Sequence, residues 1–424
     1  MNLSFSRLAA LQGEFRPPSD KSMTHRAYMM AAIASSSSLV RNPLRGEDCE
    51  STRNCLIRLG MRHEVLSATE FRLIPSQEWT QPIDPLDCGN SGTTIRLLSG
   101  LVASRSLTVS MIGDASLSKR PMRRIAEPLR LMGATFEGDT PPVTIQGGQL
   151  TAIAYNTPVA SAQIKSAVLF AALRADGKTT VTEPSLSRDH TERMLSAIGV
   201  KVDRNDLTVS IVGGQQISGF EFEVPADISS AAFLMVLAAL LNGSLVTARD
   251  LAVNPTRAGI LEVFRQVGVP FELTNERIVL NEPIADVTVG TSPVLRPFAI
   301  EGELVPRLID EIPILAVLAT QCEGTSIIRG AKELRVKESD RIAVMAEGLT
   351  RMGAKIEVFE DGMAITGPTP LSGIIIDSHQ DHRIAMSFAI AGCVASGVTE
   401  VHGAESIRTS FPTFESELDR LGIV

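Results

Sequence analysis

The sequence predicts an α/β (α+β) chain of two similar domains, each built from three βαβαββ units, on three observations. The first is a set of six glycines. Gly60, Gly133, Gly199, Gly268, Gly353 and Gly422 follow, at four positions, Leu56, Leu129, Leu195, Phe264, Leu349 and Leu418. Directly before them stand Leu59, Met132, Ile198, Val267, Met352 and Leu421. One such pattern only marks a helix C-terminus. Six, separated by 73, 66, 69, 85 and 69 residues, mark a repeat. The second observation is that the same order of elements precedes each glycine. The third is length: 424 residues exceed one ordinary core, so the six units divide between domains.

Each unit has an apolar helix rich in small residues, expected at Arg26–Ala34, Thr93–Ala103, Gln163–Leu173, Ser229–Leu241, Ile312–Thr320 and Arg383–Ala395. A β-branched strand follows, at Ser38–Arg41, Leu107–Met111, Thr179–Thr182, Ser244–Thr247, Thr325–Ile328 and Val398–Val401. A charged amphipathic helix then runs to the glycine. Two short alternating stretches around a polar turn, as in Lys201–Ser210 and Lys355–Thr366, read as a hairpin. Segments such as Gly219–Val224 and Ile374–Asp377 supply the first strand.

The sixth unit stops two residues past its glycine, and Leu3–Arg16 precedes the first helix with no unit of its own. The N-terminal strand is therefore expected to complete the C-terminal half. The domains become 18–224 and 1–17 plus 225–424, with crossings near Pro17–Ser19 and Val224–Asp227. A TIM barrel repeats one strand and one helix, not about 70 residues with a hairpin.

Composition bounds the function. A 44% hydrophobic and 21% charged chain is an ordinary globular one, and 4% aromatics demand an aliphatic, alanine-rich core. A net charge of −8 argues against a nucleic-acid partner. Five cysteines without CxxC spacing fit a reducing compartment, and no secretory leader or membrane-spanning stretch is evident, so a cytoplasmic protein is expected.

Chemistry collects immediately before the apolar helices. Those starts read Ser19–Arg26, Asp87–Arg96, Ala160–Ser166, Pro225–Ser230, Arg307–Pro313 and Ser378–Arg383. Five carry a Ser, Asp or Asn able to cap the helix; for the fourth unit capping suffices. The first, second, third and sixth add Lys or Arg to a first turn whose dipole already favours anions, which opposes the dipole unless a bound anion offsets it. Gly92 leaves room for backbone N–H groups to approach a ligand. If the starts share one face of each domain, they ring a cleft with anion donors. Ser118–Arg124 and Arg188–His190 add cations at the second helices. In Arg335–Arg341, Lys337 and Arg341 are four apart and expected on one helix face, with Glu338 alongside. A carboxylate among cations is a candidate proton donor or acceptor. His379 and His382 have HxxH spacing without an evident third ligand, and no GxGxxG follows a predicted strand, so neither metal nor dinucleotide cofactor is expected.

Taken together these residues resemble the 5-enolpyruvylshikimate-3-phosphate synthase family over essentially the whole chain. The motifs are Pro18–Ala27, Gly89–Leu97, Lys119–Met122, Ser161–Ala167, Arg188–Glu192, Pro225–Phe233, Leu308–Pro313, Leu334–Ile342 and Asp381–Met386, in order. The resemblance implies two domains of three units, each an inside-out α/β barrel, closing around substrate. It implies transfer of the enolpyruvyl group of phosphoenolpyruvate to the 5-hydroxyl of shikimate 3-phosphate through a tetrahedral adduct, by a monomer. By motif, Lys21, Ser22, Arg26, Ser161, Gln163, Asp310 and Lys337 would hold shikimate 3-phosphate. Lys21, Gly92, Arg120, Gln163, Arg341 and Arg383 would hold phosphoenolpyruvate. Asp310 would be the base, and Glu338 or Lys21 the proton donor. Gly92 implies sensitivity to the inhibitor glyphosate. Ser19, Thr24, Ala162 and Thr409 depart from common family residues, and Thr409 costs a cation near phosphoenolpyruvate. The sister family acting on UDP-N-acetylglucosamine places a reactive cysteine where this chain reads Gly113–Pro121, which contains none. A DNA clamp, also made of α/β repeats, would set Asp310 and Glu338 against phosphates.

Overall fold

The computed structural model describes residues 1–423. The chain divides into two compact bodies. One comprises Ser19–Val224 and the short piece Ile278–Glu282; the other comprises Met1–Pro18, Pro225–Arg277 and Pro283–Val424.

In the first body three four-stranded sheets repeat one pattern. In the first sheet, Glu221–Glu223 pairs parallel with Ser38–Arg41, which pairs antiparallel with Glu70–Ile74 and so with Arg62–Ser67. The second is ordered Leu86–Asp87, Thr108–Ile112, Val143–Gln146, Thr135–Glu137; the third is Ala154–Asn156, Lys178–Thr182, Thr208–Val212, Val202–Asn205. The second body holds three further sheets, and all six stay separate: none closes on itself by hydrogen bonds. Barrel is thus the wrong word for the strand pairing.

The N-terminal segment makes two strands rather than one. Asn2–Ser6 pairs antiparallel with Val398–His402, filling the hairpin position that the sixth unit lacks. Ala10–Phe15 pairs parallel with Leu245–Ala252 as the first strand of the fourth unit. Residues 278–282 also depart from the expected boundary. His190 Nδ1 meets Glu282 Oε1 at 2.8 Å, both fully buried, and Arg193 Nη1 donates to the Asn281 carbonyl at 2.9 Å, which ties this piece to the first body.

The small-residue helices are buried all round, as helices apolar on every face must be. Every residue from Ile228 through Ala239 is buried. Small side chains let backbones touch: a Cβ added to Gly100 would fall 2.0 Å from the Ala167 carbonyl oxygen, so Gly92–Ala103 and Ala162–Ala172 pack without a side-chain layer. Five of the six repeat glycines are left-handed, with φ from +87° to +110°. Gly422 is not: its φ is −72°, and the chain runs on into a strand that pairs with Ala10 and Leu11. No helix among the described residues is long and apolar enough to cross a membrane.

Candidate active site

Caps set the helix starts. Asp20 accepts from Met23 N at 2.8 Å and begins the first helix at Lys21, more than a turn before the expected Arg26. Ser91 accepts from Thr94 N, Ser161 from Ile164 N, Asp227 from Ser229 N and Asp381 from Arg383 N. The fifth start has no side-chain cap and uses a proline in its first turn instead.

In the first body the three starts are stitched by polar side chains. His25 Nδ1 meets Thr52 Oγ1 at 2.6 Å, Thr52 meets Thr94 Oγ1 at 2.6 Å, and Thr94 donates to Ser91 Oγ at 2.7 Å. Burial lowers the His25 pKa to about 3, so the ring is neutral. Lys21 pairs with Asp48. Arg96 Nη1 donates to Gln163 Oε1 at 2.8 Å, and Gln163 Nε2 donates to Thr93 Oγ1 at 3.2 Å. Arg120 is held by Asn90 Oδ1 and Ser116 Oγ. A Cβ on Gly92 would stand 2.8 Å from Arg96 Nη1 and 3.4 Å from Arg120 Nη1, so the missing side chain admits two guanidiniums. Arg26 is turned inward, 3% exposed, donating to the Ser22 carbonyl, Thr191 Oγ1 and Ser166 Oγ.

The second body gathers charges more densely. Asp310 lies in the turn between Leu304–Leu308 and Ile312–Ala319. Its Oδ1 is 3.4 Å from Arg341 Nη1, 3.8 Å from Lys337 Nζ and 3.8 Å from Arg383 Nε. Arg383 Nη1 also donates to the Asp310 carbonyl at 3.3 Å. Arg341 is 1% exposed and reaches Asp381 Oδ2 through Nε at 2.8 Å and Glu338 Oε2 through Nη2 at 2.7 Å. Burial alone would lower the Arg341 pKa; Asp381, Glu338 and Asp310 outweigh it and hold it above the usual guanidinium value. Burial would likewise raise Asp381, yet Arg341 keeps it below the usual carboxylate range. Beside this cluster Asp227, the fourth cap, is held at about 2: burial opposes, and Arg257 at 2.7 Å prevails.

One expectation fails locally. Lys337 and Arg341 share no helix face, because Asp340 caps a helix that begins only at Arg341, leaving Lys337 in extended backbone. They meet at Asp310 from different elements. The structure thus collects Lys21, Ser22, Arg26, Gly92, Arg120, Ser161 and Gln163 on the first body's helix starts and connecting loop. It collects Asp310, Lys337, Glu338, Arg341 and Arg383 on the second. Sequence reasoning missed their partners Asp48, Asn90, Arg96 and Asp381 as site residues. Asn90, Arg96 and Asp381 stand in helix-start motifs that the sequence displays, whereas Asp48 carried no signal. Among the described residues no group of three His, Cys, Asp or Glu side chains could hold a metal ion, and all five cysteines are free and buried.

Cations at capped helix starts can hold anions, and a carboxylate among cations can move a proton beside them. The comparisons with known proteins agree with that chemistry. The family model described as EPSP synthase (3-phosphoshikimate 1-carboxyvinyltransferase) matches residues 6–418. A 3-phosphoshikimate 1-carboxyvinyltransferase of Brevibacillus brevis is 48% identical over 418 residues, covering 97% of each chain. The structure of an EPSP synthase from Acinetobacter baumannii superposes with a TM-score of 0.89 at 44% identity, over 100% of this chain and 99% of that one. The enolpyruvyl transferase NikO from Streptomyces tendae shares the fold at a TM-score of 0.78 and 17% identity, over 99% and 97% of the two chains.

Proposed function

The chain belongs to the EPSP synthase family, and from that premise we propose how its side chains divide the work. The enzyme transfers the enolpyruvyl group of phosphoenolpyruvate to the 5-hydroxyl of shikimate 3-phosphate and releases phosphate, a step of aromatic amino-acid biosynthesis in the shikimate pathway. Shikimate 3-phosphate falls to Lys21, Ser22, Arg26, Ser161, Gln163, Asp310 and Lys337. Phosphoenolpyruvate falls to Lys21, Gly92, Arg120, Gln163, Arg341 and Arg383. The protein acts as a cytoplasmic monomer.

Asp310 takes the proton of the 5-hydroxyl as that oxygen bonds to C2 of phosphoenolpyruvate, while a proton is delivered to the C3 methylene. The tetrahedral adduct then returns a C3 proton to the donor, and the C2–O bond to phosphate breaks with its electron pair leaving on phosphate. Arg120, Arg341 and Arg383 offset that departing charge. The observation that carries this assignment is Asp310 itself, whose Oδ1 has Arg341, Lys337 and Arg383 within 3.8 Å. Opposite charges so close favour its ionised form, and we assign two of them, Arg341 and Arg383, to the departing phosphate as well.

Two groups compete for the proton at C3. Glu338 accepts from Arg341 at 2.7 Å, which favours its anionic form and so disfavours it as donor. Lys21, the alternative, carries its proton at neutral pH. Exchange of solvent deuterium into C3 separates them: Glu338→Gln should retain it and Lys21→Met should lose it, and the opposite result assigns the role to Glu338.

The overall assignment is tested by phosphate release from phosphoenolpyruvate. Release with shikimate 3-phosphate and none with UDP-N-acetylglucosamine is expected; release only with the sugar nucleotide, or with neither, overturns it. Asp310→Asn should lower turnover by about 10²- to 10⁴-fold while leaving ligand binding largely intact. Glyphosate is assigned here to the space beside Arg96 and Arg120 that a side chain at Gly92 would fill. Turnover unchanged at millimolar glyphosate with subsaturating phosphoenolpyruvate would remove that part of the proposal.

A further inference from the structure

The first body carries a second group of cations at the other end of its inner helices. A cavity of about 360 Å³ is lined by Ser104, Arg105, Gln149, Leu173, Arg174 and Gln215, among others. A second cavity of about 210 Å³ shares Arg105 and Arg174. Such volumes suit a small ligand. The site lies past the C-termini of Gly92–Ala103 and Ala162–Ala172, some 18 Å along the helix from Gly92 at about 1.5 Å per residue.

The two arginines lack an anionic partner. Neither makes a hydrogen bond or ion pair through its side chain with a described residue, and Arg105 Nε is buried with no hydrogen-bond partner at all. The Arg105 guanidinium instead lies over the Trp79 ring, 4.8 Å from its centroid. Burial and the like charge of Arg174 push the Arg105 pKa down to about 10, with no carboxylate opposing them.

Arginines near helix C-termini commonly serve as caps. Here the terminal carbonyls already have partners. The Ala103 carbonyl accepts from Gly148 N at 3.0 Å, Leu173 from Gly214 N at 2.9 Å, and Leu101 from Ser104 Oγ at 2.9 Å. The dipole accounts for the sign of the side chains but leaves their donors unused. A half-buried guanidinium without a counter-charge, with another on the same cavity lined by glutamines and serines, calls for an anion.

We propose that this cavity is a second anion site, separate from the substrate residues, for a compact polyanion bearing phosphate or several carboxylates. Arg105 and Arg174 clamp the ligand, and Gln149 supplies a further donor; the Gln215 amide is already held by the Lys201 and Val212 carbonyls and only walls the cavity. Trp79 is the only tryptophan in the chain, so its fluorescence reports this site. The experiment titrates the enzyme with inorganic phosphate and, separately, with citrate, each at constant ionic strength set by chloride. A saturable change with phosphate places phosphorylated ligands here, one with citrate places polycarboxylates, and both support the site. Arg174→Gln, at an exposed position, should raise the half-saturating concentration roughly tenfold, Arg105→Gln should abolish the response, and both should keep turnover. No saturable change with either anion, or curves that the two variants leave unmoved, overturns the proposal. So does a response that Lys21→Ala abolishes and Arg174→Gln retains, because it would report substrate residues instead.

Discussion

In the first body different cations rest on different side chains: Lys21 on Asp48, Arg96 on Gln163, Arg120 on Asn90 and Ser116. In the second, three cations converge on Asp310, and the most buried of them is also held by Asp381 and Glu338. Both clusters hang on the same element, the capped start of a buried helix. The difference is between holding and reacting. Cations paired one by one can exchange a protein partner for a ligand oxygen at modest cost. A shared carboxylate among several cations is charge arranged before substrate arrives, which lowers a barrier without reorganisation.

The largest effect is expected from removing the buried counter-charge of Arg341. Asp381→Ala leaves Arg341 buried beside a lost partner and removes a helix cap, so about 3–5 kcal/mol of stability should go in urea denaturation. Asp48→Ala, at a pair whose side chains are 17% and 10% exposed, should cost less. Equal losses would mean the two clusters are energetically alike. Next comes chemistry: Asp310→Asn should lower kcat by about 10²- to 10⁴-fold, while Gln163→Ala should act mainly on KM. A kcat loss from Gln163→Ala as large as that from Asp310→Asn would erase the division between holding and reacting.

Acid separates the bodies third. His25 is neutral when folded, with its pKa lowered from 6.5 to about 3. The unfolded chain therefore binds the extra proton throughout that window. This contribution is complete above pH 6.5 and is lost as pH falls toward 3, with a slope of up to about 1.4 kcal/mol per pH unit. Asp381 is held below its ordinary 3.8, so its contribution is present above that value and goes only as pH falls through the lower folded one. Hydrogen exchange at pH 7, 5 and 4 should show the first body loosening first, and His25→Gln should flatten that dependence. A smaller effect is expected of Gly92→Ala, whose methyl would press on Arg96 Nη1 at 2.8 Å. It should raise the KM for phosphoenolpyruvate several-fold and weaken glyphosate inhibition more, with kcat nearly kept. Smallest of all, Gly199→Ala has open space but φ of +97°, so about 1 kcal/mol should be lost to backbone strain alone.

The helices and their starts were legible because caps, small-residue runs and glycine stops are local signals. The six apolar helices lie where expected, mostly to within a residue; the first begins early because Asp20 caps it. What one sequence could not carry was partnership. Nothing around Asp48 or Asp381 says which cation each will meet, since Lys21 and Arg341 lie 27 and 40 residues away. Lys337 was misplaced for the opposite reason. Its spacing from Arg341 suited a helix, but Asp340 between them begins one. Gly422 repeats the sequence pattern without the left-handed turn, because the chain there pairs with Ala10 and Leu11.

The two N-terminal strands bear on the order in which the chain can be finished. Residues 19–224 form a body that needs, apart from the piece 278–282, nothing synthesised later. The other body cannot close its sheets until Val398–His402 leaves the ribosome and meets Asn2–Ser6. Through much of translation, Asn2–Ser6 and Ala10–Phe15 must wait unpaired while an entire neighbouring body folds. Chaperone capture of the nascent chain should therefore centre on these two strands rather than on its newest residues.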